Sequence, residues 1–326
     1  MTTTNASVLL FFIDGLGIGT RGPFNPLDNL SNAAPLAVFQ NEPAETFLDA
    51  IVVPTDPRLG IEGRPQSASG QTTILTGVNA PATIGYHKQG FPNKALLEIL
   101  STHSIFRQLS EARVHPITFA NAYTRRFFDE RPRWISATTA AVEGAGMTFR
   151  NIADLKNGAA VFMDFTNRIL IERGVDVAER TEEEAADVLA RLASENRFTL
   201  YEYFITDKVG HEQDMPKARE ILTSLARVIR ELLARLDLNR TTVILTSDHG
   251  NIEDLSSRNH TLHLVPTIIW GAERERIAAT IKSLADITPA IVATLCKPQK
   301  GTKSTKKKIG LSNYKQARQL HLRSIR

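Results

Sequence analysis

Three apolar runs, far apart in the chain, each end in an acidic residue: SVLLFFIDG (7–15), RFTLYEYFITD (197–207) and RTTVILTSDHG (240–250). A run that stays apolar at successive positions suits a strand buried on both faces, the condition of parallel sheets covered by helices. HLVPTIIWG (263–271) and VHPITFANA (114–122) are further strand candidates. Between them the periodicity becomes helical. NKALLEILSTHSIFRQLSEA (93–112) has helical spacing, and TEEEAADVLARLASE (181–195) opens on Thr181 with Glu184 three positions on, a capping-box pattern. MPKAREILTSLARVIRELLARLD (215–237) predicts a long amphipathic helix, and 281–295 predicts a last one despite Pro289. Strands alternating with helices predict an α/β fold, a mostly parallel sheet with helices on both faces. Ligands of such sheets bind beyond the carboxyl ends of the strands. Asp14, Asp207, Asp248 and His249 all fall there.

Residues 123–178 interrupt this rhythm with Arg clusters, tandem aromatics and several glycines. They are expected to form a small cap inserted into a core of 1–122 and 179–296. The remaining 297–326 carries ten Lys/Arg and no Asp/Glu, which leaves 29 basic against 35 acidic residues elsewhere, a net of −6. The overall charge of +4 and the pI near 9.2 therefore belong to a basic, flexible tail and not to a nucleic-acid-binding fold. Nucleic acid is expected only through that tail, as a salt-dependent and sequence-indifferent contact, with Tyr314 its single stacking aromatic. VLLFFI is too short to span a bilayer and lacks a basic segment before it, so no signal peptide or membrane anchor is expected. The lone Cys296 suits a reducing compartment, and a cytoplasmic protein is the expectation. Nothing in the sequence bears on oligomeric state.

RPQSASGQTTILTG (64–77) places five hydroxyls, Ser67, Ser69, Thr72, Thr73 and Thr76, within ten positions. By residue type alone this is either a helix start rich in capping groups or the seat of a nucleophile. The run from 70 to 76 predicts a short helix with Ser69 as its N-cap. The acid and imidazole groups are more telling: Asp14, then Asp207 and His211 in DKVGH, Asp248 and His249 in SDHGN, and His260. Singly, each has an ordinary reading as a turn, a helix cap or a loop histidine. Together they are a carboxylate-and-imidazole set that suits two divalent ions, Mn or Zn, without thiolate. Two such ions can clamp the attacking and leaving oxygens of a phosphoryl transfer.

FFIDGLG, QSASGQTTILTG, DKVGH, TSDHGNIED and HTLHLVP, in this order, resemble the motif set of the alkaline phosphatase superfamily. The nearest branch is that of cofactor-independent phosphoglycerate mutase and phosphopentomutase. The resemblance covers about 7–122 and 180–295. It implies one metal site from Asp14, Ser67, Asp248 and His249, and another from Asp207, His211 and His260. It also implies that Ser67, three positions before Gly70, is the nucleophile; Gln71 stands where the family has His. Free N–H groups at a helix start beside Ser67 suit an incoming phosphate.

The expected function is metal-dependent phosphoryl transfer through phospho-Ser67, by a phosphomonoester hydrolase or a phosphomutase acting on a small phosphorylated metabolite. The alternatives are a cofactor-independent phosphoglycerate mutase proper, or a non-catalytic protein that binds nucleic acid through the tail. The mutases of the resembling branch carry a long inserted domain, whereas the insertion here is about 55 residues. A sulfatase is unsuited, since SASGQ has neither the Pro nor the Arg of that motif. Secondary candidates for substrate contact are His87, Lys208, Arg125 and Arg126, with Glu253 in a supporting role behind the metal ligands.

Overall fold

Strand β1 (Ser7–Ile13) is buried at every position, because it runs through the middle of a sheet with helices on both faces. This computed structural model describes residues 6–44 and 47–296; the tail 297–326, and the nucleic-acid contact expected of it, lie outside the described residues. The other strands are β2 (Ile51–Thr55), β3 (Ile117–Phe119), β4 (Ala122–Tyr123), β5 (Arg150–Asn151), β6 (Phe198–Tyr203), β7 (Thr241–Ser247) and β8 (Val265–Trp270). Six of them form one sheet in the order β2-β8-β7-β1-β6-β3, and β4 and β5 pair separately. β6 and β7 flank β1 in parallel and β3 adds to β6 in parallel. β8 runs antiparallel to both β7 and β2. The sheet is mostly parallel, with one reversed strand. β2 goes unread in the sequence, being short and holding Pro54; at a sheet edge the missing N–H breaks no ladder.

The helices are α1 (Ser67–Thr76), α2 (Ala80–Ile84), α3 (Lys94–His103), α4 (Ile105–Glu111), α5 (Arg125–Asp129), α6 (Ala137–Gly144) and α7 (Ile152–Lys156). They continue with α8 (Arg168–Glu172), α9 (Glu182–Glu195), α10 (Ile205–Glu212), α11 (Met215–Arg235), α12 (Arg274–Ala278) and α13 (Ile287–Leu295). On one face of the sheet Leu9, Phe11, Ile13, Tyr201 and Leu245 pack beneath α9 and α11. On the other, Val8, Leu10, Phe12, Phe198 and Ile244 meet Ile74 and Leu75 of α1, Phe106 of α4, Ala141 of α6 and Ile291 of α13. Each Leu, Ile or Phe so enclosed contributes about 1.5–3 kcal/mol. Within 123–178, α6 packs into this core, while Leu155, Ala160, Phe162 and Leu170 gather with Ala122 into a small cluster of their own. No helix among the described residues is long and apolar enough to cross a membrane.

Local chemistry explains where the elements begin and break. Thr181 accepts from Glu184 N at 3.2 Å and Glu184 Oε2 accepts from Thr181 N at 2.8 Å, so the capping box forms as expected. The single helix expected over 93–112 is two, because Ser104 takes an extended ψ of 148° and its hydroxyl caps α4 at Arg107 N. RFTLYEYFITD is not all strand: β6 stops at Tyr203 and Asp207 lies in α10. Ser69 is not an N-cap. α1 starts at Ser67 behind Gln66, and the Ser69 hydroxyl bonds Lys88 N and Gln66 O instead. Thr72, Thr73 and Thr76 are buried and donate to carbonyls four residues back.

The loops at the carboxyl ends of β1, β7 and before β8 are held together by one buried carboxylate, Glu253. Its Oε2 accepts from Gly17 N and Asn251 N, both at 2.8 Å, and its Oε1 from Thr261 Oγ1 at 2.6 Å and His263 Nδ1 at 3.0 Å. Gly250 has to be glycine here, since a Cβ would lie 2.1 Å from Glu253 Oε1 and 2.2 Å from Thr261 Oγ1. Burial opposes the Glu253 charge, but His263, Thr261 and the Gly17 amide outweigh it and hold its pKa below the usual carboxylate range. The Glu253 hydrogen bond in turn raises His263.

The Glu253 contribution is complete above the ordinary carboxylate pKa and lost as pH falls through the lowered one. The His263 contribution is complete below the ordinary imidazole pKa and lost as pH rises through the raised one. Glu253→Gln is therefore expected to destabilise the protein by about 1.5–3 kcal/mol, most strongly between those two pKa values. Denaturant melts across pH read this directly; a penalty independent of pH would refute the charged pair.

Candidate metal centre

The register of the sheet brings the first ligands together. Ile13 pairs with Ser247 on β7, so the residues that follow, Asp14 and Asp248, leave adjacent strands side by side. His249 comes next and is fully buried. Its Nε2 lies 3.3 Å from Asp14 Oδ1, 3.5 Å from Asp248 Oδ2 and 2.9 Å from Ser67 Oγ. Ser67 reaches this point as the first residue of α1. The helix can sit so close because position 70 is glycine: a Cβ there would lie 3.0 Å from Asp248 Cβ and from its carbonyl oxygen. Ser69 N donates to Lys88 O, while the amides of Ser67 and Ala68 have no partner among the described residues.

Asp207 and His211 are one turn apart on α10, and the loop after β7 delivers His260 to them. His260 Nε2 lies 3.3 Å from Asp207 Oδ1 and 3.3 Å from His211 Nε2, and His211 Nε2 lies 3.4 Å from Asp207 Oδ2. Each imidazole spends its other nitrogen on a carbonyl: His260 Nδ1 on Pro65 O at 2.9 Å and His211 Nδ1 on Arg258 O at 2.6 Å. A carbonyl only accepts, so both Nδ1 atoms carry hydrogen, and in the neutral rings both Nε2 lone pairs face each other beside a carboxylate. That arrangement suits a cation, with the carbonyls fixing tautomer and ring orientation. The His249 ring stacks on that of His260 with centroids 3.6 Å apart, which joins the two clusters.

The electrostatics agree with this reading. Burial raises the pKa of Asp14 and, well above its ordinary value, that of Asp248, with each other carboxylate nearby adding to the effect. Burial also opposes ionisation of Asp207, but the close approach of His260, the charge of His249 and the hydrogen bond from Asn251 pull it below the usual range. For His249, burial is outweighed by Asp14, and its pKa rises. Asp14 Oδ1 is buried without a hydrogen-bond partner. Atoms of Asp207, His211 and His260 lie within 4.8 Å of one another, and so do atoms of Asp14, Asp207 and His249. An unpartnered carboxylate oxygen, three acids and three imidazoles are a donor set fitted to divalent ions.

Some neighbours were not identified from the sequence. Gln71, left without an ionisable role by its residue type, donates its amide to Asp14 Oδ2 at 3.1 Å and to Asp248 Oδ2 at 3.2 Å, tying the two carboxylates together. The one signal was its place directly after Gly70. Asn251 donates to Asp207 Oδ1 at 2.7 Å. Glu202, at the end of β6, is buried with both carboxyl oxygens unpartnered, and burial drives its pKa far up. Of the secondary candidates, His87 is half-buried with Nε2 3.3 Å from Ile61 O, and burial lowers its pKa. Lys208 is 68% exposed with Glu212 3.9 Å away. Arg125 and Arg126 are over 80% exposed and pair with Asp129 and Glu130 on their own turn of chain. Among the described residues no hydrogen bond or ion pair joins these four to the Ser67–His249 cluster.

The sequence model of the metalloenzyme superfamily matches residues 128–298. Phosphopentomutase from Alkaliphilus metalliredigens is 28% identical over 144 residues, 43% of this chain and 34% of its own. The 2,3-bisphosphoglycerate-independent phosphoglycerate mutase of Dinoroseobacter shibae is 30% identical over 129 residues, 37% of this chain and 25% of its own. The chain thus spans about a third or less of these curated relatives. Alkaline phosphatase from the Antarctic bacterium TAB5 shares the fold, with a TM-score of 0.51 at 15% identity, covering 92% of this chain and 100% of that one. With a family match over more than half of its length and this strand-end ligand set, the chain belongs to the metalloenzyme superfamily and has the α/β fold of the alkaline phosphatase superfamily.

Proposed function

We propose that the protein is a metal-dependent phosphoryl-transfer enzyme, a phosphomonoester hydrolase or phosphomutase that works through phospho-Ser67. The observation that carries this reading is the hydroxyl of Ser67, at the first residue of α1, 2.9 Å from His249 Nε2 in a pocket of buried carboxylates. Two divalent ions, Mn or Zn, are proposed: one held by Asp14, Ser67, Asp248 and His249, the other by Asp207, His211 and His260. Bound there, such ions supply Lewis acidity toward phosphoryl oxygens and lower the pKa of a ligating hydroxyl.

The chain's own groups account for the rest. Ser67 Oγ gives up its proton to solvent as it attacks phosphorus, the bond from phosphorus to the ester oxygen breaks, and the leaving oxygen takes a proton from solvent. The free amides of Ser67 and Ala68 and the dipole of a ten-residue helix face the transferring anion. Gln71 keeps Asp14 and Asp248 in fixed orientation, and the backbone carbonyls of Pro65 and Arg258 do the same for His260 and His211. A second attack on phospho-Ser67, by water or by an acceptor hydroxyl, returns the serine. Which acceptor enters decides between hydrolase and mutase.

Ser67→Ala is expected to lower turnover of an aryl phosphate by at least about a thousandfold while most of the metal stays bound; unchanged turnover would remove Ser67 from its role. Asp248→Asn is expected to lower bound metal measurably by elemental analysis, and full occupancy in that variant would contradict the ligand assignment. A panel of phosphorylated metabolites on metal-replete protein, read in parallel for released phosphate and isomerised product, separates the two acceptors. Turnover of none of them would count against phosphoryl transfer itself.

A further inference from the structure

We infer that the aromatic cavity beside the metal centre is a subsite for a planar aromatic group on the phosphorylated substrate; this rests on the phosphoryl-transfer reading above and names its class of leaving group. The cavity, about 310 Å³, is walled by Phe119, Tyr123, Phe127, Trp134, Phe162 and Phe204. That volume lies at the small end of ligand sites and holds one or two fused rings.

Its position follows from the register. Ile13 pairs with Tyr203, and Asp14 N donates to Tyr203 O at 2.9 Å, so Phe204 leaves β6 alongside Asp14. α1 and α6 pack against each other on one face of the sheet, and Ser67, the first residue of α1, meets His249 at the carboxyl rim. Phe204, which lines the cavity, thus follows directly on the residue whose carbonyl accepts from Asp14 N, and Asn121, bonded to the Glu202 backbone, lines it as well. On this placement, a ring carried by a phosphoryl group at Ser67 is what the cavity receives.

The chemistry of the lining selects the occupant. Four of the polar side chains in the lining, Asn121, Tyr123, Ser136 and Thr139, are already paired. Tyr123 Oη and Ser136 Oγ lie 2.8 and 2.9 Å from Thr139 Oγ1, and Asn121 exchanges hydrogen bonds of 2.7 and 3.0 Å with the Glu202 backbone. What the cavity leaves for a ligand is ring faces, one hydroxyl, that of Thr124, and the guanidinium of Arg173, which forms no ion pair among the described residues. A sugar or polyol would surrender hydrogen bonds to water and regain few, whereas a flat ring finds edge and face contacts and a cation. Trp134 is 56% exposed, with the Arg133 guanidinium 5.0 Å from its ring centroid.

Non-hydrolysable phosphonates test this without the influence of leaving-group acidity. On metal-replete protein, calorimetry is expected to show 2-naphthylmethylphosphonate binding at least tenfold more tightly than ethylphosphonate. Trp134→Ala, at an exposed position, and Phe127→Ala are each expected to bring that ratio toward one. Equal affinities in the wild type, or a ratio unmoved in both variants, would overturn the subsite. If neither phosphonate binds and no phosphomonoester is turned over, the phosphoryl-transfer reading is what has failed. The cavity is then judged by neutral 2-naphthol, expected to bind the wild type and not Trp134→Ala; absence of that difference overturns it.

Discussion

The structure turns on the repulsion among three carboxylates, Asp14, Asp207 and Asp248, held at the carboxyl rim of one sheet, the first and last of them buried. Parallel pairing of β1 with β7 makes Asp14 and Asp248 neighbours, and the helix after β6 brings Asp207 to their flank. Burial alone pushes such acids toward neutrality. They are instead surrounded by three imidazoles, two of them with lone pairs turned inward by backbone carbonyls. Cations resolve this crowding of negative charge and lone pairs, and the rest of the rim is arranged around that need.

The surrounding contacts give the ligands little freedom. Gln71 bridges Asp14 and Asp248, Asn251 holds Asp207, and the Thr206 hydroxyl donates to the Asp14 carbonyl. Glu253 binds the loops behind them to one another. α1 enters over Gly70 with Ser67 foremost, and α6, packed against it, lines the aromatic cavity with Thr139.

Much of this was legible in the sequence where a local pattern has one physical meaning. SVLLFFI is apolar at six of seven positions and TTVILTS has an apolar centre flanked by small hydroxyl residues, because both faces of β1 and β7 are covered, and the acid that follows each marks the rim. The Thr181–Glu184 box forms because each partner satisfies the other's backbone. Legibility failed where the deciding contact is remote. The apolar pattern of YEYFITD runs past Tyr203, yet the chain turns into α10, with Thr206 anchored to Asp14 from a separate strand. Ser104 interrupts a continuous helical pattern by capping the next helix while its hydroxyl donates to Ala141 O. Gln71, the buried Glu202 and the aromatic cavity depend on pairings between segments more than fifty residues apart, which no spacing along the chain discloses.

The central claim is that this rim holds a pair of divalent cations. Anomalous diffraction from crystals grown with Mn or Zn tests it most directly. The account predicts two peaks, one within about 2.0–2.3 Å of donor atoms of Asp14, Asp248 and His249 and the other equally close to Asp207, His211 and His260. Density lacking any anomalous peak among these six side chains, under conditions where metal binds the protein elsewhere, would contradict it.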